Sequence, residues 1–186
     1  MEEVNMILEM AQDGMQESVE HLKRELAKIS TGKASPAMLG SIRVDYYGAP
    51  TPLAQVANVG TSDARTLAIK PWEKSMLAPI ERAIFEANLG FTPRNDGETI
   101  HISIPMLTEE RRRELVKRAK ALGEDAKVSV RASRRDAMEE IKKAVKDGLP
   151  EDIGKRKETD VQELTNKYGS NIDQVITEKE KDIMTV

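Results

Sequence analysis

Residues 108–150, TEERRRELVKRAKALGEDAKVSVRASRRDAMEEIKKAVKDGLP, carry a helical period too long for a small compact domain to cover. Apolar and small residues of this stretch fall at Leu115, Ala119, Leu122, Ala126, Val130, Ser133, Ala137, Ile141 and Ala144. Steps of three and four sustained over that length put one continuous seam on one face of a single helix. Thr108 marks the start as a capping hydroxyl, and Glu109 and Glu110 place negative charge at the positive end of the helix dipole. Asp147, Gly148 and Pro150 mark the stop. About forty residues at a rise of about 1.5 Å make a rod of roughly 60 Å, too long to be covered by anything but helices of similar length.

Two such partners are present. Val4, Leu8, Ala11, Met15, Val19, Leu22, Leu26 and Ile29 form a seam in the first thirty residues, which Thr31, Gly32 and Pro36 bring to an end near Ser30. A third helix is expected from about Glu158, with Val161, Leu164, Tyr168, Ile172, Val175 and Ile183 on one side, although Gly169 and Asn171 weaken its middle. Three seams that need apolar partners predict a three-helix bundle made of residues 1–30 and 106–186.

The intervening segment has a different composition. Seven of the eight prolines and five of the six aromatic residues lie between Thr31 and Pro105. Ile42–Tyr47, Gln55–Val59, Thr66–Lys70 and Thr99–Ile104 read as short strands, and Ile100, Ile102 and Ile104 alternate with polar neighbours as in a sheet with one buried face. Turn signals fall at Gly48-Ala49-Pro50, Thr61-Ser62-Asp63 and Asn95-Asp96-Gly97, and Ser75–Asn88 reads as a short helix. The fold class is therefore α+β: a long three-helix bundle with an inserted small β/α/β sandwich domain, residues 31–105, joined by a two-stranded hinge. That hinge comprises Thr31, Gly32, Lys33, Ala34, Ser35 and Pro36 on one strand and Ile104, Pro105 and Met106 on the other. Trp72 and one of Tyr46 and Tyr47 are expected to pack into the insert, with the other tyrosine at the surface.

Composition narrows the function classes. No cysteine is present, which excludes disulfides, thiolate metal sites and cysteine nucleophiles. No apolar run approaches the roughly twenty residues of a membrane span, and the acidic start Met1-Glu2-Glu3 is unlike a secretory signal, so a soluble cytoplasmic protein with no membrane partner is expected. His21 and His101 lie in different domains and neither has a neighbouring histidine, so no metal site or catalytic base is expected. Gly32-Lys33 looks like the end of a phosphate loop, but Ala27 stands where that loop needs glycine and Ala34 where it needs Ser or Thr. No cofactor and no catalytic residue is expected; adjacent carboxylates such as Glu139 and Glu140 suit helix solvation better than acid/base work.

Charge supplies the one positive lead. From Glu109 to Arg135 ten Lys/Arg face five Asp/Glu, a local +5 within a chain of net charge -3. At about 100° per residue, Arg113, Lys117, Lys120, Lys127, Arg131 and Arg135 fall within about 40° of one direction, well over 100° from the seam. Arg134 flanks that stripe and Glu124 alone interrupts it. A solvated helix face is one reading; RNA or DNA binding is the other, favoured by arginine at 111–113, 131, 134 and 135, whose planar fork suits phosphate. A coiled-coil adaptor that binds protein helices through an incompletely buried seam remains a further reading.

Several motifs in order bear on that choice: Thr31-Gly32-Lys33-Ala34-Ser35-Pro36, Tyr46-Tyr47-Gly48-Ala49-Pro50-Thr51-Pro52-Leu53, Leu107-Thr108-Glu109-Glu110-Arg111-Arg112, and Val130-Arg131 followed by Arg134-Arg135-Asp136-Ala137. Together they resemble the ribosome recycling factor family over essentially the whole chain. The resemblance implies an L-shaped, tRNA-sized, monomeric and non-enzymatic translation factor. Its partners would be the large ribosomal subunit with its RNA, and elongation factor G with GTP, and together they would split post-termination ribosomes into reusable subunits. It also implies that Arg131, Arg134 and Arg135 contact ribosomal RNA and that the insert swings on its hinge. One departure stands out: the family pattern has Arg before Thr-Gly-Arg at the end of the first helix, where this chain has Ser30 and then Lys33.

Overall fold

The computed structural model describes residues 2–185. Among them, four α-helices and six β-strands follow in order: α1 Glu2–Ala27, β1 Arg43–Tyr46, β2 Ala49–Pro52, β3 Ala57–Asp63, β4 Thr66–Pro71, α2 Leu77–Glu86, β5 Pro93–Asn95, β6 Ile100–Ser103, α3 Glu109–Lys146 and α4 Glu151–Met184. They divide into a helical unit, in which the chain leaves at Ile29 and returns at Glu110, and a second unit, Ser30–Glu109.

The seam of each long helix is buried against the other two. Ala11 of α1, Ala137 and Ile141 of α3 and Val161 of α4 share one core cluster, and Met15, Ile172 and Ile183 are fully buried. The helices come close enough that hydroxyls meet across them, Ser18 Oγ lying 2.8 Å from Ser129 Oγ. Small residues set that approach. A Cβ on Gly123 would lie 2.7 Å from Ile176 Cγ1, and one on Gly154 would lie 2.6 Å from Val145 Cγ2. Gly154 also explains why α4 begins seven residues before the expected Glu158. Glycine lowers helix propensity and hides the start, whereas Pro150 before the first turn and Glu151 and Asp152 within it favour initiation there.

Arg112 occupies the seam as well. It is 8% exposed, and its Nη1 donates to the carbonyls of Ile183 and Thr185 at the end of α4. A guanidinium there satisfies carbonyls that the helix leaves unbonded and complements the negative end of the dipole. The arginine run is thus partly structural, and Arg112 is not available for a polyanion.

In the second unit, β1 and β2 form an antiparallel hairpin, and four antiparallel strands form a sheet in the order β3-β4-β6-β5. Leu67 and Ile69 of β4, Ile100 and Ile102 of β6 and Ile80 of α2 are all fully buried, with Ile84 at 1% exposure. β2 and β5 add to the four expected strands, and the turn expected at Thr61–Asp63 is strand, the reversal falling at Ala64–Arg65. Trp72 departs from expectation: it is 67% exposed. The aliphatic residues already fill the interior, and Trp72 follows the last residue of β4, held by its own N–H on the Val56 carbonyl. Tyr46 is half-buried and Tyr47 exposed; their hydroxyls donate to Glu73 Oε1 and Oε2 at 3.1 and 3.0 Å, a bond that is the main cause of both phenols titrating above their usual range.

The β5–β6 turn is closed by Asp96, whose Oδ1 accepts from the N–H groups of Thr99 and Glu98 at 2.7 and 3.0 Å. With His101 Nε2 2.9 Å from Oδ2 as well, these donors hold its carboxyl down to about 2. A depressed carboxylate contributes stability above its unfolded value of about 3.9, lost as pH falls through the folded one. Asp96→Asn should therefore melt lower than the native chain near neutral pH, and the gap should close between about pH 4 and pH 2. Thermal unfolding followed at stepped pH reads this directly; a gap independent of pH would count against it.

Candidate nucleic-acid interface

A helix of 38 residues presents each side chain by its angle alone, so α3 sorts its cations by position. Lys120 and Lys127 lean toward α4. Lys127 Nζ lies 2.6 Å from Asp173 Oδ1 and 3.7 Å from Glu124 Oε1, and Lys120 Nζ lies 3.7 Å from Glu180 Oε1. The hydrogen bond to Asp173 is the main reason that Lys127 titrates above the usual lysine range. These two lysines tie α3 to α4, and their partners offset much of the charge they would offer a polyanion.

The remaining cations face outward. Arg113, Lys117, Arg131 and Arg135 are exposed, and among the described residues no ion pair engages Lys117, Arg131 or Arg135. Arg131 Nε donates to the Lys127 carbonyl at 3.3 Å, and half-buried Arg134 donates from Nε to Gln162 Oε1 of α4 at 2.7 Å. Both guanidinium groups are fixed by Nε, and a neutral amide leaves the charge of Arg134 intact. Arg131, Arg134 and Arg135 come together around one depression of about 750 Å³ on α3, whereas Arg113 and Lys117 lie several turns away along the helix. Lys142 borders the same depression, although the charge stripe read from sequence stops at Arg135. Its signal was the helical period itself, for Lys142 lies seven residues beyond Arg135 and so continues the stripe.

The junction residues divide too. Ala34 N–H donates to the Ala64 carbonyl, Ser35 caps a short turn of helix at Pro36–Leu39, and Ile104 is 5% exposed with its N–H on the Arg65 carbonyl. Those four, Ala34, Ser35, Pro36 and Ile104, are built into the second unit. Thr31, Gly32, Lys33, Pro105 and Met106 have no regular secondary structure. Gly32 has φ +74, and a Cβ there would lie 3.3 Å from Leu107 Cγ, so the two connecting segments run side by side at this point.

The family model for ribosome recycling factor matches residues 22–184. The chain belongs to the ribosome recycling factor family. The ribosome-recycling factor of Christiangramia forsetii is 57% identical over 186 residues, covering all of both chains. That of Porphyromonas gingivalis is 50% identical over 185 residues, covering 99% of this chain and 100% of the relative. A solution structure of the ribosome recycling factor matches with a TM-score of 0.84 at 37% identity over 100% of both chains. A structure of the T. thermophilus ribosome recycling factor and the E. coli elongation factor G bound to the E. coli post-termination complex matches with a TM-score of 0.66 at 39% identity, covering 98% of this chain and 99% of that one. The family thus accounts for both units, and the fold is the α+β arrangement of long helices and a small sheet domain that its solved members have.

Proposed function

We propose that this chain binds post-termination ribosomes and, with elongation factor G and GTP, separates them into subunits that can be reused. Binding and positioning are its whole contribution; the GTP is hydrolysed by the partner, and the work is done in the cytoplasm, where ribosomes are. The observation that carries the reading is the outward-facing arginine group of α3 in a chain that matches recycling factors from end to end. Arg131, Arg134 and Arg135 contact phosphates of large-subunit RNA, with Arg113 and Lys117 extending the footprint along α3. Lys120 and Lys127 take a smaller part because Glu180 and Asp173 already occupy them. A coiled-coil adaptor would need an apolar seam left open, and here Met15, Val161, Ile172 and Ile183 are fully buried within the bundle.

The second unit moves as the arm when the translocase acts, pivoting at Thr31–Lys33 and at Pro105–Met106. Gly32→Val tests that pivot. A β-branched residue is strained at φ +74 and its Cβ crowds Leu107, so the junction stiffens while the face of α3 stays as it was. Light scattering with native ribosomes, elongation factor G and GTP should show subunit splitting slowed by roughly tenfold or more. Cosedimentation without the translocase should change by less than about twofold. An unchanged splitting rate would remove the hinge from the mechanism. A failure of the native chain to split ribosomes at all would overturn the functional reading itself.

A further inference from the structure

Val128 is the odd residue on α3. It is 60% exposed, the one large apolar side chain of that helix that stands in solvent among the described residues. It makes an i,i+4 row with Ala132, beside the parallel row of Arg131 and Arg135, and both rows line the depression of about 750 Å³. Half-buried Met138 lines it too, and Arg134, Lys142 and two carboxylates, Glu139 of α3 and Glu158 of α4, complete the rim. A phosphate backbone is drawn by the four cations but makes no use of an aliphatic floor or of two carboxylates. A nucleobase uses every one of these groups. Its face covers Val128 and Ala132 or stacks on a guanidinium plane, its exocyclic amine donates to a carboxylate, and its flanking phosphates meet Arg131 and Arg135. Within a duplex that face is hidden by stacking, so the base has to be unpaired. An acidic peptide would suit the arginines but would bring its carboxylates against Glu139 and Glu158.

We infer that the Val128–Arg135 depression seats a single unpaired RNA base bearing an exocyclic amine, so that α3 recognises a bulge or loop in addition to tracking phosphates. This rests on the reading of α3 as the ribosome-facing helix. The test is chemical probing of large-subunit RNA in complex with the full chain, using dimethyl sulfate for adenine and cytosine and kethoxal for guanine, with cosedimentation on the same samples. The native chain should protect at least one unpaired base. Val128→Ser, at an exposed position and with helicity checked by circular dichroism, should return that base to the reactivity of free subunits. The same change should weaken cosedimentation by roughly three- to tenfold, as expected from the removal of one apolar side chain from the interface. If the native chain binds but protects no base, or if Val128→Ser protects the same bases as the native chain, the inference falls and the phosphate reading stands. If the native chain does not bind large subunits, both fall together.

Discussion

Replacing Arg131 and Arg135 together by alanine should weaken binding to the large ribosomal subunit by roughly two orders of magnitude, with helicity and melting temperature unchanged. Each is exposed and, among the described residues, has no ion pair within the chain, so removing it leaves no buried partner and costs the fold little. Each charge-assisted hydrogen bond to phosphate is worth about 1.5–3 kcal/mol, at least about tenfold per arginine. Lys120→Ala with Lys127→Ala is the informative contrast. The same number of charges is removed, but from residues already paired with Glu180 and Asp173, so the expected weakening is far smaller, within about tenfold. Filter binding or cosedimentation with isolated large subunits separates the two cases, and equal weakening would mean that the arginines have no special place.

Arg112→Ala should do the reverse, damaging the fold first. The change removes both hydrogen bonds to the end of α4 and leaves the carbonyl of buried Ile183 without this donor in a place shielded from water. Breaking bonds of this kind and orphaning a buried acceptor costs about 2–4 kcal/mol, and the melting temperature of the helical unit should drop by roughly 5–15 °C. Any weakening of ribosome binding should follow that instability and recover on cooling, unlike that of the Arg131 and Arg135 variant. A melting temperature within about 2 °C of native would mean that Arg112 contributes nothing to the fold.

The contrast between Arg112 and its neighbours shows what the sequence could and could not reveal. The long seam of α3 was readable because steps of three and four persist over the whole helix, and the same angular rule places Arg112 on the seam, about 100° from Arg113. What one helix cannot reveal is its neighbour's surface: the partners of Lys120 and Lys127, Glu180 and Asp173, lie on α4, more than forty residues away in the chain. The two strands missed from sequence have a common cause. β2, Ala49–Pro52, contains two prolines and β5 begins at Pro93, and proline argues against a strand unless the strand lies at an edge, as both do. Trp72 misled for another reason, since size suggested a core residue while the isoleucines and leucines had already filled the interior. The junction between the units is legible in sequence only to within a few residues, because proline and glycine mark where regular structure stops and not which residues the neighbouring sheet captures. Ala34 and Ile104 are captured through single backbone hydrogen bonds to Ala64 and Arg65.

Phosphate contacts made by the outward arginines of α3 should give its hold on the large subunit a characteristic salt dependence, which cosedimentation across a salt series reads. With isolated large subunits, the logarithm of the native chain's affinity should fall linearly with the logarithm of salt concentration, and the Arg131 and Arg135 double variant should show a slope shallower by roughly two, one for each phosphate no longer neutralised. The same slope in both proteins, or native binding to small subunits alone, would mean that these arginines do not hold the large subunit.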